Sequence, residues 1–290
     1  MKIPFTKMHG LGNDFVVLDL FGQGKPLAGM DEARARVLCD RRFGVGADQV
    51  LVVGPPHGGE SGGAASRMEI WNADGSTAEM CGNGIRAVAL YLHDHAPEAL
   101  RGRGSYRIET GAGVLEVFIE GRLVRVDMGP PRLLADRAER LETPHGAFEF
   151  WEVSMGNPHA VIFVPPGSSL GALELEKIGP AIENHPRFPK RTNVEFVRVA
   201  GPGEVDVRVW ERGAGITLAC GTGACASAVA TLHSLARDRG GSLKVRLPAG
   251  SLRLDWNGKK TGPVWMTGPA VEVFRGEFSD PSGSADSHRA

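Results

Sequence analysis

The sequence predicts an α/β protein of the α+β type: two pseudo-symmetric domains from an internal duplication, each a mixed or antiparallel sheet wrapped round one central helix. Three observations carry this. Met68-Glu69-Ile70-Trp71-Asn72 leads, ten residues after Trp71, into Cys81-Gly82-Asn83-Gly84-Ile85-Arg86-Ala87, and Val207-Arg208-Val209-Trp210-Glu211 leads, ten residues after Trp210, into Cys220-Gly221-Thr222-Gly223-Ala224-Cys225-Ala226. Met128-Gly129-Pro130 and Met266-Thr267-Gly268-Pro269 each place a glycine 48 residues after those cysteines. The length, 290 residues, suits two domains of ordinary size.

Taken in order, Met8-His9-Gly10-Leu11-Gly12-Asn13-Asp14-Phe15 has a shorter counterpart in Met155-Gly156-Asn157-Pro158-His159, which matches Asn13 with Asn157. A helical stretch from Asp31 to Arg41 contains Cys39, and strand-like runs end near Trp71 and Trp210. Each cysteine turn opens a long run of small and apolar residues, read as the central helix. Alternating strands from Tyr106 to Glu109 and from Leu243 to Leu247 then reach glycine turns at Gly113 and Gly250. Val114 to Ile119 and Leu123 to Val126 are separated at hairpin distance, which favours antiparallel or mixed pairing over a βαβ wind. The stretch from Gly54 to Gly63 reads as a flexible loop, and residues 279–290 as a disordered tail.

Composition excludes several classes. Lys plus Arg total 33 against 34 Asp plus Glu, a net charge of -1, so there is no basic field for nucleic acid and no polybasic membrane surface. No apolar run reaches a spanning length, and the N-terminus lacks the apolar core of a signal peptide. The four cysteines fit neither a disulfide scaffold nor a zinc knuckle, which points to a reducing cytoplasm.

The chemistry lies in the two cysteine turns. Each thiol stands at or just before a helix N-terminus, where dipole and amides favour an anion, so a thiol pKa below the free value is expected. The same unpaired amides can hold an adjacent carboxylate. If the halves pack about a pseudo-two-fold axis, Cys81 and Cys220 face each other across an interdomain cleft, one as base and one as acid. Cys39 and Cys225 read as buried small hydrophobes. Gly82-x-Gly84-x-x-Ala87 and Gly221-x-Gly223-x-x-Ala226 mimic a dinucleotide fingerprint, but neither follows a strand directly. His93-Asp94-His95 reads as a solvated helix end, not a metal site. His159 reads either as a satisfied structural histidine or as a group at the cleft. Asn13, Asn72, Asn157 and Asn193 stand at ends of strand-like runs, and Glu211-Arg212 takes the slot of Asn72-Ala73, which breaks the symmetry. One acid and one guanidinium there suit an amino-acid head group.

These residues resemble the diaminopimelate epimerase family. The match runs from Phe5 to Phe15 through Gly44-Val45-Gly46-Ala47-Asp48-Gln49, both cysteine turns, Gly156-Asn157-Pro158-His159, Arg191-Thr192-Asn193 and Glu211-Arg212-Gly213. The resemblance implies a cofactor-independent, metal-free isomerase that interconverts L,L- and meso-diaminopimelate, on the route to lysine and, in bacteria, peptidoglycan. It implies Cys220 as base on the L,L substrate and Cys81 as acid. It also implies Asn13, Gln49, Asn72, Gly82, Asn83, Asn157, Asn193, Glu211, Arg212, Gly221 and Thr222 as binding residues, with His159 and Glu211 tuning the site. A small amino-acid substrate, no nucleic-acid or membrane partner, a homodimer and a cytoplasmic location are implied as well. Domain limits of 1–121, completed by a returning strand at about 269–278, and 122–268 follow by the same analogy. Ala87 stands where relatives often carry a cysteine.

Overall fold

The computed structural model describes residues 2–22, 30–57, 63–236 and 240–279. The chain divides into two compact units, one of the residues up to Arg122 together with those from Ala270 on, the other of Leu123–Pro269.

In the first unit, β1 (Lys2–Gly10) and β2 (Asn13–Asp19) form a hairpin. Its two-residue turn has positive φ at both Leu11 and Gly12, the twist that suits paired antiparallel strands. Asp31 caps α1 (Glu32–Cys39) by accepting from the Arg34 N–H at 2.8 Å. The helix carries the chain to β3 (Gln49–Gly54), parallel to β2. Antiparallel β4 (Ser66–Asn72) follows, with β5 (Thr77–Ala78) folded back on it. Then α2 (Gly82–His95) crosses to β6 (Ser105–Thr110), parallel to β4, and β7 (Gly113–Glu120) completes a hairpin.

The second unit begins with β8 (Leu123–Asp127), β9 (Arg132–Leu133), β10 (Glu139–Thr143) and β11 (Gly146–Ser154). From there it repeats the first strand for strand. Antiparallel β12 (Pro158–Phe163) follows β11, and α3 (Leu175–Glu183) leads to parallel β13 (Asn193–Gly201). Next come antiparallel β14 (Glu204–Glu211), the returning β15 (Gly215–Thr217) and α4 (Gly221–Ala236). The unit closes with β16 (Gly241–Leu247), parallel to β14, then β17 (Gly250–Trp256) and β18 (Val264–Pro269). β8 pairs with β18, and β9 with β11. The last strand, β19 (Val271–Ser279), pairs with β1 in the first unit, the counterpart of β9 on β11.

The sheets are mixed, as expected, but the expectation against βαβ units is corrected. The parallel pairs β2/β3, β4/β6, β12/β13 and β14/β16 each have a helix between their strands. Parallel strands cannot be joined by a short turn, so each pair requires a crossover that glycine spacing does not reveal. Side chains alternate between two covered faces. Val16, Leu18, Val50 and Val52 pack with Leu38 and Cys39 of α1, and Ala160, Ile162, Val194 and Phe196 pack with Leu175 and Ile182 of α3. The opposite faces meet α2, buried from Gly82 through Leu92, and α4.

Two sequence expectations need adjustment. His57, inside the expected loop, is anchored by its N–H and ring to the Glu109 carboxylate, both at 3.0 Å; residues 58–62 of that loop lie outside the described residues. Ser279 ends β19, and residues 280–290 of the expected tail lie outside the described residues. No helix among the described residues is long and apolar enough to cross a membrane.

Candidate active site

Each central helix opens on a cysteine. Cys81 is the N-cap of α2 and its sulfur accepts from the Gly84 N–H at 3.3 Å; Cys220 immediately precedes α4 and accepts from the Gly223 N–H at the same 3.3 Å. The residues between them and these amides are Gly82 and Asn83 in one copy, Gly221 and Thr222 in the other. The first-turn amides of a helix have no partner within it, so both turns present donors to an anion.

In the first unit, the Cys81 thiol donates to Asn13 Oδ1 at 3.6 Å, and Asn83 Nδ2 donates to the same oxygen at 3.4 Å. Asn13 stands at the start of β2, and the pairing of β2, β3 and β4 sets Gln49 opposite both Phe15 and Asn72. Gln49 Nε2 donates to Asn72 Oδ1 at 2.9 Å. Sequence reasoning missed Arg86. Its fully buried guanidinium donates to Gly82 O at 3.0 Å and to Asn83 Oδ1 at 2.8 Å, bracing the turn that carries Cys81. The available signal was a lone Arg in a helix of small and apolar residues.

The second unit is the more polar copy. His159 Nδ1 lies 2.7 Å from Glu195 Oε1, and both side chains are 0% exposed. His159 Nε2 lies 3.0 Å from Asn157 Oδ1, Asn157 Nδ2 donates to Thr222 Oγ1 at 3.3 Å, and Thr222 Oγ1 is 3.5 Å from Cys220 Sγ. Glu211 accepts from Thr217 Oγ1 at 2.5 Å, and its carboxylate lies near enough to the Cys220 thiol to act on its charge. Asn193 Nδ2 donates to Pro158 O, and its Oδ1 accepts from the Arg212 N–H, each at 2.9 Å. The Arg212 guanidinium donates to Lys190 O at 3.2 Å. Glu195 was quoted within a motif but not singled out. Its signal was a carboxylate two residues after Asn193, on the same strand face.

The electrostatics correct one expectation. Burial, then the Glu211 and Glu195 carboxylates, push the Cys220 thiol well above its ordinary value, against the helix end that favours the anion. Burial also raises the Glu211 carboxyl. Cys39 and Cys225 are buried, and burial lifts Cys39 to about 11, consistent with inert packing. His95 is no solvated helix end: it lies 2.5 Å from Glu272 and contacts Arg275 on β19. Among the described residues no His, Cys, Asp and Glu cluster is arranged to hold a metal ion.

The chain matches the family model for diaminopimelate epimerase over residues 5–134 and 151–273. It is 48% identical over 295 residues to the diaminopimelate epimerase of Desulforudis audaxviator (strain MP104C), covering 95% of this chain and 99% of that one. It is 47% identical over 295 residues to that of Synechococcus sp. (strain JA-3-3Ab), covering 96% and 99%. Two solved structures share the fold at low identity. A phenazine biosynthesis protein of the PhzF family from Bacillus anthracis superposes with TM-score 0.69 at 15% identity, covering 96% of this chain and 99% of that one. A hydroxyproline epimerase from Agrobacterium vitis gives 0.67 at 19%, covering 97% and 94%.

Proposed function

The chain belongs to the diaminopimelate epimerase family, and from that membership we propose that it interconverts L,L- and meso-diaminopimelate by proton transfer between two cysteines, without a cofactor. The observation that carries the reading is the duplicated cap: two thiols, each at a helix head, each accepting one amide at 3.3 Å. Inversion of a carbon needs a base on one face and an acid on the other. Cys220 as thiolate removes the α-proton of the L,L substrate while the Cys81 thiol delivers a proton to the opposite face, and the roles exchange in reverse. The reading therefore requires both sulfurs to reach one α-carbon from opposite sides.

The α-proton is far less acidic than a thiol, so the site must raise the base and stabilise the carbanion. A thiol pushed up by burial is seldom ionised, yet its thiolate is the stronger base once formed. Carboxylate held at Gly82-Asn83 and Gly221-Thr222 gains from helix-head amides as charge develops. Asn13, Gln49, Asn72, Asn157, Asn193 and Arg212 complete the binding set. Glu211 belongs to it as well, and the effect of its carboxylate on the Cys220 thiol supports the tuning role it shares with His159. The proposal extends to a homodimer acting in the cytoplasm on the route to lysine and peptidoglycan.

The test is conversion of L,L-diaminopimelate by reduced protein with no cofactor added, with proline and glutamate in parallel. Formation of the meso isomer, abolished by Cys81→Ala and by Cys220→Ala separately, is expected. Turnover of proline instead, or turnover that survives either substitution, contradicts it.

A further inference from the structure

The buried pair His159 and Glu195 has no polar counterpart in the other copy of the fold. Parallel pairing sets Phe15 opposite Gln49 in the first unit and His159 opposite Asn193 in the second. Phe15 thus holds the place of His159, and Leu51, two residues beyond Gln49, holds that of Glu195. The helix-head glycines give an independent check. A Cβ on Gly84 would meet Leu51 Cδ2 at 3.3 Å, and one on Gly223 would meet Glu195 Oε1 at 2.7 Å. The same backbone therefore folds with two hydrocarbons at these positions. Burying an acid and an imidazole there costs desolvation without being needed for the sheet, which directs attention to what the pair does.

Glu195 Oε2 is buried without a hydrogen-bond partner, so the polar contact of this carboxylate runs through Oε1 to His159. A carboxylate only accepts, so His159 Nδ1 carries hydrogen. Asn157 Oδ1 also only accepts, so Nε2 carries hydrogen as well and the ring donates at both nitrogens; the other end of that amide donates to Thr222 Oγ1. The Thr222 oxygen accepts there, which leaves its own hydrogen available to Cys220 Sγ, 3.5 Å away. A hydroxyl donating to sulfur favours the thiolate. The other ionisable groups facing this assembly are Glu211, from β14, and Cys220 itself.

We propose that Glu195 is a positioning residue for the Cys220 step: it fixes His159 so that the chain through Asn157 and Thr222 delivers a hydroxyl hydrogen to the Cys220 sulfur. This rests on the reading of Cys220 as one of the two reacting thiols.

The sign of one shift tests it. The pH titration of ultraviolet thiolate absorbance, taken as the difference between each protein and its Cys220→Ala partner, reports Cys220. Glu195→Gln is expected to raise the midpoint by about one pH unit, a tenfold loss of thiolate at fixed pH. As a charge alone, Glu195 disfavours the Cys220 anion, so a merely coulombic neighbour would give the opposite sign on removal. A lowered or unchanged midpoint overturns the proposal. Should Glu195→Gln not fold, Thr222→Val is expected to raise the midpoint and Thr222→Ser to restore it; a Val variant that titrates like the native protein overturns the proposal equally. Turnover of L,L-diaminopimelate by the native protein is read separately. The expected titration shift without any turnover contradicts the enzymatic reading and leaves the role of Glu195 standing.

Discussion

Asn13 presents its side-chain oxygen to the Cys81 thiol, 3.6 Å away, because Asp48 Oδ2 accepts from Asn13 Nδ2 at 2.9 Å and fixes which way the amide points. Asp48 is held in turn by Arg41 at 2.8 Å. Removing the carboxylate frees the amide to turn its NH2 toward the sulfur, which exchanges an acceptor for a donor. Asp48→Ala is expected to lower kcat by about tenfold, the scale of a modest misplacement of a reacting group. Steady-state kinetics in both directions check this, and an unchanged kcat would show that the Asn13 orientation does not matter.

The two helix-head glycines should differ in their tolerance of alanine. At Gly223 the added methyl would stand 2.7 Å from Glu195 Oε1, a buried carboxylate with little room to retreat. At Gly84 it would stand 3.3 Å from Leu51 and from Cys81, contacts that small movements relieve. Gly223→Ala is therefore expected to reduce kcat/KM by roughly tenfold more than Gly84→Ala, about 1.4 kcal/mol of transition-state stabilisation. Equal effects would mean that the Glu195 carboxylate is free to move.

This contrast also shows how far the sequence could be read. The cysteine turns, Asn13, Asn157 and the divergence at Glu211 were visible because reactive residue types recurred at matching offsets. Glu195 and Arg86 were not. Each lies in a run of apolar residues, and its partner arrives from another strand or from the turn it braces. The environment of Cys220 was equally hidden: a helix head can be read from glycine spacing, whereas burial beside two carboxylates depends on β13 and β14 packing over α4. The α1 and α3 crossovers escaped a reading based on hairpin spacing, although Asp31 marked the start of α1.

Acid stability should report the first unit. Burial works against the Asp14 charge, but hydrogen bonds from Arg41 and Lys7 outweigh it and hold the carboxyl at about 2, down from 3.8. A lowered folded value means stabilisation present above the ordinary carboxylate range and lost as pH falls from about 3.8 toward 2. Asp14→Asn is expected to cost roughly 1–2 kcal/mol at neutral pH, allowing for solvent screening, and to flatten stability over that acid window. Denaturant titrations at several pH values check both, and an unchanged acid slope would contradict the role of the Lys7–Asp14–Arg41 cluster.

Glu211 carries the opposite sign. Burial raises its folded value, so the folded state retains the proton more readily and stability falls as pH rises from the ordinary glutamate value through the raised one. Glu211→Gln is expected to remove that decline and raise the melting temperature at neutral pH by a few degrees, while activity drops. A thermal melt and an activity assay on the same sample decide it; a variant that loses stability would show that the Thr217 and Cys220 contacts outweigh the burial of charge.

The most direct measurement of the two-base claim is the placement of deuterium during the first few per cent of reaction of L,L-diaminopimelate in heavy water. Two cysteines acting from opposite faces should put solvent deuterium at the inverted α-carbon of the meso product while recovered L,L substrate keeps its α-proton. Early exchange into recovered substrate at the same rate as into product would point to a single base serving both faces, and would contradict the assignment of separate roles to Cys81 and Cys220.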